Sequence, residues 1–230
     1  VDHGPSLLDG WTIAGPPVLD RAVRYFPDDR GRGAGPSVLI RHPFHLSDDD
    51  GQSIAALRWS ELAGLRRVAL EAGTSVPDLV GGGSISSFEN GFEVAGRTIL
   101  PPEQGRIPEP IRAVLADLLA SHVRGRPVVA AFWHGWSDLR RWRPSVPQWR
   151  TETRDYLCLV GPGDRIPVID GGGPGLLTPS VLGDEQGTVV VANDIDCWTT
   201  QVFGSDAVRR VVRGDRRLET VDLPGATAGR

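Results

Sequence analysis

Apolar residues along this chain follow two rhythms. Ile111, Val114, Leu115, Leu118, Leu119 and Val123 recur at spacings of three and four. That period places them on one stripe of an amphipathic helix, with Pro110 in its first turn and Gly125 at its end. The second rhythm is continuous apolar runs of strand length: Pro127–Trp133, Tyr156–Val160 and Thr188–Ala192. Such runs predict strands buried on both faces. Ser37–Arg41 reads as an earlier strand, ended by His42-Pro43, and Thr199–Phe203 as a shorter, alternating one. The strands near residues 37–41, 128–133, 155–160, 188–192 and 199–203 are expected to share one sheet, with the helix from Pro110 to Val123 packed on it.

Shorter elements complete the outline. Ser60 is a candidate N-cap for a helix through Arg67, with Leu62 and Leu65 turned inward. Ser205 caps another, with Val208, Val211 and Val212 inward and Arg209, Arg210 and Arg213 outward. A last strand falls near Leu218–Val221. The 29 glycines and 19 prolines break the chain often, so elements are short. Residues 1–36 read as loosely structured, residues 72–110 as mostly loop, and residues 224–230 as a disordered tail. One domain over residues 37–223 remains. Strands follow one another more often than they alternate with long helices. The expected class is therefore α+β, a mainly antiparallel sheet with a few short helices packed on it.

Composition removes chemistries. All 25 basic residues are arginine, which excludes a P-loop lysine and a Schiff-base lysine. There is no Gly-x-Ser-x-Gly, His-Glu-x-x-His or Cys-x-x-Cys, and nothing calls for a cofactor. The net charge of −4 provides no field to recruit nucleic acid or an anionic membrane. No apolar run approaches the ~20 residues of a membrane span. Val1-Asp2-His3-Gly4-Pro5 lacks the basic-then-apolar pattern of a secretory signal. Cys158 and Cys197 sit in apolar contexts that favour reduced thiols. The expected setting is the cytoplasm.

The densest candidate chemistry lies between residues 132 and 154. Trp133, His134, Trp136, Trp142 and Trp149 are interleaved with Arg140, Arg141, Arg143, Arg150 and Arg154. The first reading is a loop whose tryptophans fold onto the core. The second is a protein or ligand interface, where Trp and Arg concentrate binding energy. Base stacking on nucleic acid is the third, and Asp138, Glu152 and Asp155 dilute the charge it would need. Asp194 and Asp196, two apart after an apolar run, would share a face of a continuing strand and could bind a metal or do acid–base chemistry. A turn that satisfies backbone amides is the plainer reading. His42 and His45 have zinc-like spacing but no third ligand nearby in sequence, so they read as structural and no metal site is expected. Gly171-Gly172-Gly173-Pro174-Gly175 reads as a flexible loop rather than a phosphate cradle, because Pro174 removes a donor and no helix follows.

Several segments together resemble a group of Streptomyces-type actinobacterial proteins of unknown function. They are Ile40-Arg41-His42-Pro43, Leu57–Leu62, Ala131–Trp136, Arg154–Leu157 with Gly161-Pro162, and Asp184 through Gly204. The group carries tryptophans before the acidic Ile-Asp step, and Leu176–Gly183 here lacks them. The resemblance implies a shared fold over roughly residues 37–223 and an actinobacterial cytoplasm, but no reaction.

Two functional readings follow. The first is a non-catalytic soluble binding module, a regulatory or immunity-type partner of another protein, using Trp133, His134, Trp136, Trp142, Trp149 and Arg143. The second is a metal-assisted hydrolase using Asp194 and Asp196. The second requires His134 or His42 to converge with those aspartates in one concave pocket.

Overall fold

The computed structural model describes residues 10–27, 35–48, 52–82, 91–136, 139, 148–170 and 176–224. The chain opens with β1 (Thr12–Ile13) and α1 (Pro16–Ala22), which runs into a 3-10 turn (Val23–Tyr25). Next come β2 (Ser37–Arg41), β3 (Phe44–Ser47), β4 (Ser53–Leu57), α2 (Trp59–Arg66) and α3 (Val76–Val80). They are followed by β5 (Phe92–Val94), β6 (Arg97–Leu100), α4 (Glu109–Val123) and β7 (Val128–Trp133). Then come β8 (Gln148–Arg150), β9 (Asp155–Gly161), β10 (Ile169–Asp170), β11 (Leu176–Leu177) and β12 (Val181–Asp184). β13 (Val189–Ala192), β14 (Thr199–Gly204), α5 (Asp206–Gly214) and β15 (Glu219–Leu223) complete it.

The protein is α+β, and every strand pairing among the described residues is antiparallel. A nine-stranded sheet runs β1-β9-β7-β12-β13-β14-β2-β15, with β8 also on β9. All five strands expected in one sheet are in it. Alternation divides each central strand between two faces. Val128, Ala130 and Phe132 of β7 join the core beneath α4 and α5, while Val129 and Ala131 join the core beneath α1. The α4 stripe is buried at all six expected positions. A four-stranded sheet, β4-β3-β6-β5, forms a third core with α2 and α3 around Phe44, Trp59, Leu62, Leu79 and Ile99. No helix among the described residues is long and apolar enough to cross a membrane.

Leu118 is 2% exposed in the largest of these cores. Leu118→Ala should therefore cost about 2–5 kcal/mol in urea melts. A cost below ~1 kcal/mol would place the stripe outside the core.

The structure corrects several expectations. Residues 10–27 are ordered, not loose: β1 pairs with β9, and Trp11, Ala14, Leu19 and Ala22 are buried. The Pro16-Pro17 step, read as a loop, starts α1, because a proline in the first turn gives up only an N–H that has no partner there. Most described residues of 72–110 are loop or turn, as expected, but the segment also holds α3, β5 and β6. α2 starts at Trp59, ahead of the expected Ser60 cap: Glu219 of β15 accepts from the Trp59 and Ser60 N–H groups (2.7 and 2.9 Å). Leu65 and Val211 are both 50% exposed. Each lies roughly a quarter to a third of a turn from the buried stripe of its short helix. Of the expected disordered tail, residues 225–230 lie outside the described residues.

Candidate functional site

Antiparallel pairing brings the ends of β7, β13 and β2 and the starts of β9, β12 and β14 to one end of the large sheet, and the predicted chemistry gathers there. Trp133 packs against the core under α1. Trp136 turns to the opposite face and packs beneath α4, meeting Trp133 edge-on at 5.7 Å. His134 donates its backbone N–H to Asp155 (2.8 Å). Trp149 on β8 stacks on Tyr156 (4.7 Å) and meets Phe26 edge-on (5.3 Å). These three tryptophans cover core. Trp142 and Arg143 lie outside the described residues.

Asp194 and Asp196 do not continue β13. They form a turn, closed by the Cys197 N–H on the Asp194 carbonyl (3.0 Å) and by the Asp196 N–H on Asp194 Oδ1 (2.9 Å). Arg154, 17% exposed, reaches both carboxylates, at 3.3 Å to Asp194 and 3.1 Å to Asp196. Burial works against its charge, but Asp194 and Tyr156 together outweigh that and its pKa is raised. The guanidinium thus fills the place a cation would take between the pair. Among the described residues, no group of three or more His, Cys, Asp or Glu side chains could hold a metal ion.

The turn instead receives the segment that leads into α4. Gly105 N–H donates to Cys197 O (3.1 Å), and Gln104 Nε2 donates to Asp196 O (3.1 Å). Gly105 has φ +67°, and a Cβ there would lie 2.8 Å from the Ile195 backbone. Both the left-handed conformation and the close approach demand glycine.

The two histidines part company. His42 is fully buried, its Nε2 2.8 Å from Thr200 Oγ1, and that hydroxyl continues to Asn193 Oδ1 (3.2 Å). Burial lowers its pKa to about 3, so it is neutral near pH 7. His42 makes no hydrogen bond with either aspartate among the described residues. His45 belongs to the small sheet, where its Nδ1 lies 3.1 Å from Ser53 Oγ.

That histidine opens onto a groove of about 510 Å³ between the small sheet and α4, a volume suited to a drug-sized ligand. Its apolar walls are Leu100, Pro101, Ile107, Pro108, Pro110 and Leu176. Arg106 and Arg112 bring positive charge, Glu103 and Glu109 negative. Arg106 pairs with Glu103 (3.0 Å) and lies over Trp136 (5.8 Å), which joins the groove to the aromatic end of the sheet. This groove is not visible in the sequence, because its lining comes from β3, β4, β6, the 101–108 segment, the start of α4 and β11, which only the fold assembles.

Both cysteines are free thiols. Burial pushes Cys158 up to about 12. Burial, then Asp194 and Asp196, push Cys197 up to about 11. Native iodoacetamide labelling of Cys197 at pH 7 should run on the order of 100-fold slower than in the unfolded chain. Rates within about tenfold of each other would show a reactive thiol.

No protein-family model, curated protein or solved structure matches the chain.

Proposed function

We propose that this chain is a non-catalytic binding module that acts on a protein partner in the cytoplasm, as a regulatory or immunity-type protein does. The observation that supports this most is the Arg154 fork. The carboxylates a metal-assisted hydrolase would use are tied to a guanidinium and a structural turn. His42 is interior and neutral, and both thiols are held protonated. What faces solvent is a groove with apolar walls and a few charged groups, the composition of a binding site. Arg106 rests on Trp136 beside this groove, and arginine and tryptophan are residue types enriched at interface hot spots.

The test is a panel of ester, phosphoester, peptide and glycoside substrates, with and without divalent metals. The wild type, the double variant Asp194→Asn/Asp196→Asn, and Ser53→Ala are compared. A binding module shows no wild-type turnover above that of the variants. Metal-dependent turnover lost in the double variant would overturn the reading in favour of the hydrolase. Turnover lost in Ser53→Ala would assign chemistry to the Ser53–His45 contact. A submicromolar complex with an oligonucleotide would displace protein as the partner.

A further inference from the structure

We infer that the groove between α4 and the small sheet receives a carboxylate carried on an apolar body, with Arg112 as its anchor. The inference rests on the binding-module reading and names the chemistry of what is bound.

Of the two arginines lining the groove, Arg112 is the one without an ion pair among the described residues. Its Nη1 donates to the Ile107 carbonyl (3.2 Å), which fixes the guanidinium against the wall. That bond is the one its guanidinium makes among the described residues, so its other N–H groups can serve a ligand. Burial lowers its pKa, and the charge of Glu109 opposes this. A guanidinium fork matches a carboxylate through two parallel hydrogen bonds. Arg106 is not the anchor, because Glu103 and Trp136 already hold it. The start of α4 contributes little. Pro110 has no N–H, and the Ile111 and Arg112 N–H groups both turn to the Pro108 carbonyl (3.0 and 2.9 Å).

The walls specify the rest of the ligand. Pro101, Pro108 and Pro110 are stiff, so an apolar body can seat against Ile107 and Leu176 with little ordering of the protein. Glu103 and Glu109 at the same groove penalise further negative charge, which selects a monoanion over a phosphate dianion or a polyanion. A free carboxylic acid and the C-terminus of a peptide with an apolar last residue share this chemistry.

Calorimetric titration distinguishes them. The probes are naphthoate against naphthamide, and acetyl-Ala-Pro-Leu as the free acid against its amide. At least one acid should bind about tenfold or more tightly than its amide. Arg112→Gln should reduce that preference to less than about twofold with an unchanged melting curve. Glu109→Gln, at an exposed first-turn position, should tighten acid binding severalfold and checks the same electrostatics without touching the anchor. Discrimination of the naphthoate pair identifies a free acid as the ligand type, and discrimination of the peptide pair alone identifies a chain terminus. Equal binding of acid and amide, a preference that survives Arg112→Gln, or no binding of any probe at millimolar concentration would each overturn the inference. Equal binding would remove the carboxylate and leave the binding module standing, whereas turnover in the substrate panel would remove the binding module itself.

Discussion

Between pH 7 and pH 5 the wild-type protein should lose about 2 kcal/mol of stability that a His42→Gln variant retains. His42 titrates near 6.5 in the unfolded chain and near 3 when folded. Its imidazole is fully buried, and Nδ1 has no hydrogen-bond partner among the described residues. No charged group among the described residues offsets the cost of charging it. Between those two values the unfolded state binds a proton that the folded state refuses, so stability falls as pH falls. Above 6.5 both states are neutral and the slope vanishes. Below about 3 both are charged, and the accumulated loss has reached the order of 4–5 kcal/mol. Burial also lowers the pKa of His45, which adds a slope of the same sign. The comparison with His42→Gln removes that contribution, because His45 is present in both proteins. Urea melts at the two pH values measure it. Parallel slopes for wild type and variant would mean that His42 is accessible to water and titrates normally.

The same residue shows what the sequence could and could not reveal. His42 and His45 share a spacing that suggests joint ligation, yet one serves the large sheet and the other the small one. The division falls at Pro43, between β2 and β3. Long apolar runs were legible because both faces of β7, β9 and β13 are buried, so composition alone marks them. β12 was not. Val181-Leu182-Gly183-Asp184 has no distinctive pattern, and it is a strand because β7 and β13 pair with it on either side. The β5–β6 hairpin also escaped notice. It turns through Ala95 (φ 51°) and Gly96 (φ 72°), and alanine is not a residue that advertises a left-handed turn. At the candidate site, the Asp194–Asp196 pair was visible, and a structural turn was the plainer of its two readings. Arg154 lies 40 positions earlier and meets the pair only because the start of β9 and the end of β13 share one end of the sheet. Arg112 was legible only as a polar position on a predicted helix. Its importance depends on the groove, and the groove is a property of the packed fold.

Asp184→Ala should be the most damaging single substitution outside the apolar cores, at about 3–5 kcal/mol. Asp184 ends β12 at the centre of the large sheet, opposite Val128 of β7, and its carboxylate is fully buried. It accepts from the Thr188 N–H (2.6 Å), Thr188 Oγ1 (2.9 Å) and the Val189 N–H (3.4 Å). Arg126 approaches it at 2.8 Å and also donates to Gln186 and Thr188. The carboxylate therefore closes the β12–β13 hairpin from inside, while Gly187 (φ +64°) makes the turn and donates to the Asp184 carbonyl (3.0 Å). Alanine would strand two backbone donors and leave a partly buried guanidinium without its counter-ion. Unmet groups of this kind, rather than the attraction itself, account for most of the cost. Asp184→Asn keeps an acceptor and loses the charge, so it should fall between wild type and alanine. Removing Arg126 as well, in Asp184→Ala/Arg126→Met, should recover about 1–3 kcal/mol relative to the sum of the single changes, since no charge is then left unpaired. Urea melts of the four proteins complete the cycle. Additive single costs, or an Asp184→Ala penalty under ~1 kcal/mol, would show that the hairpin is held by its backbone ladder and that the carboxylate is incidental.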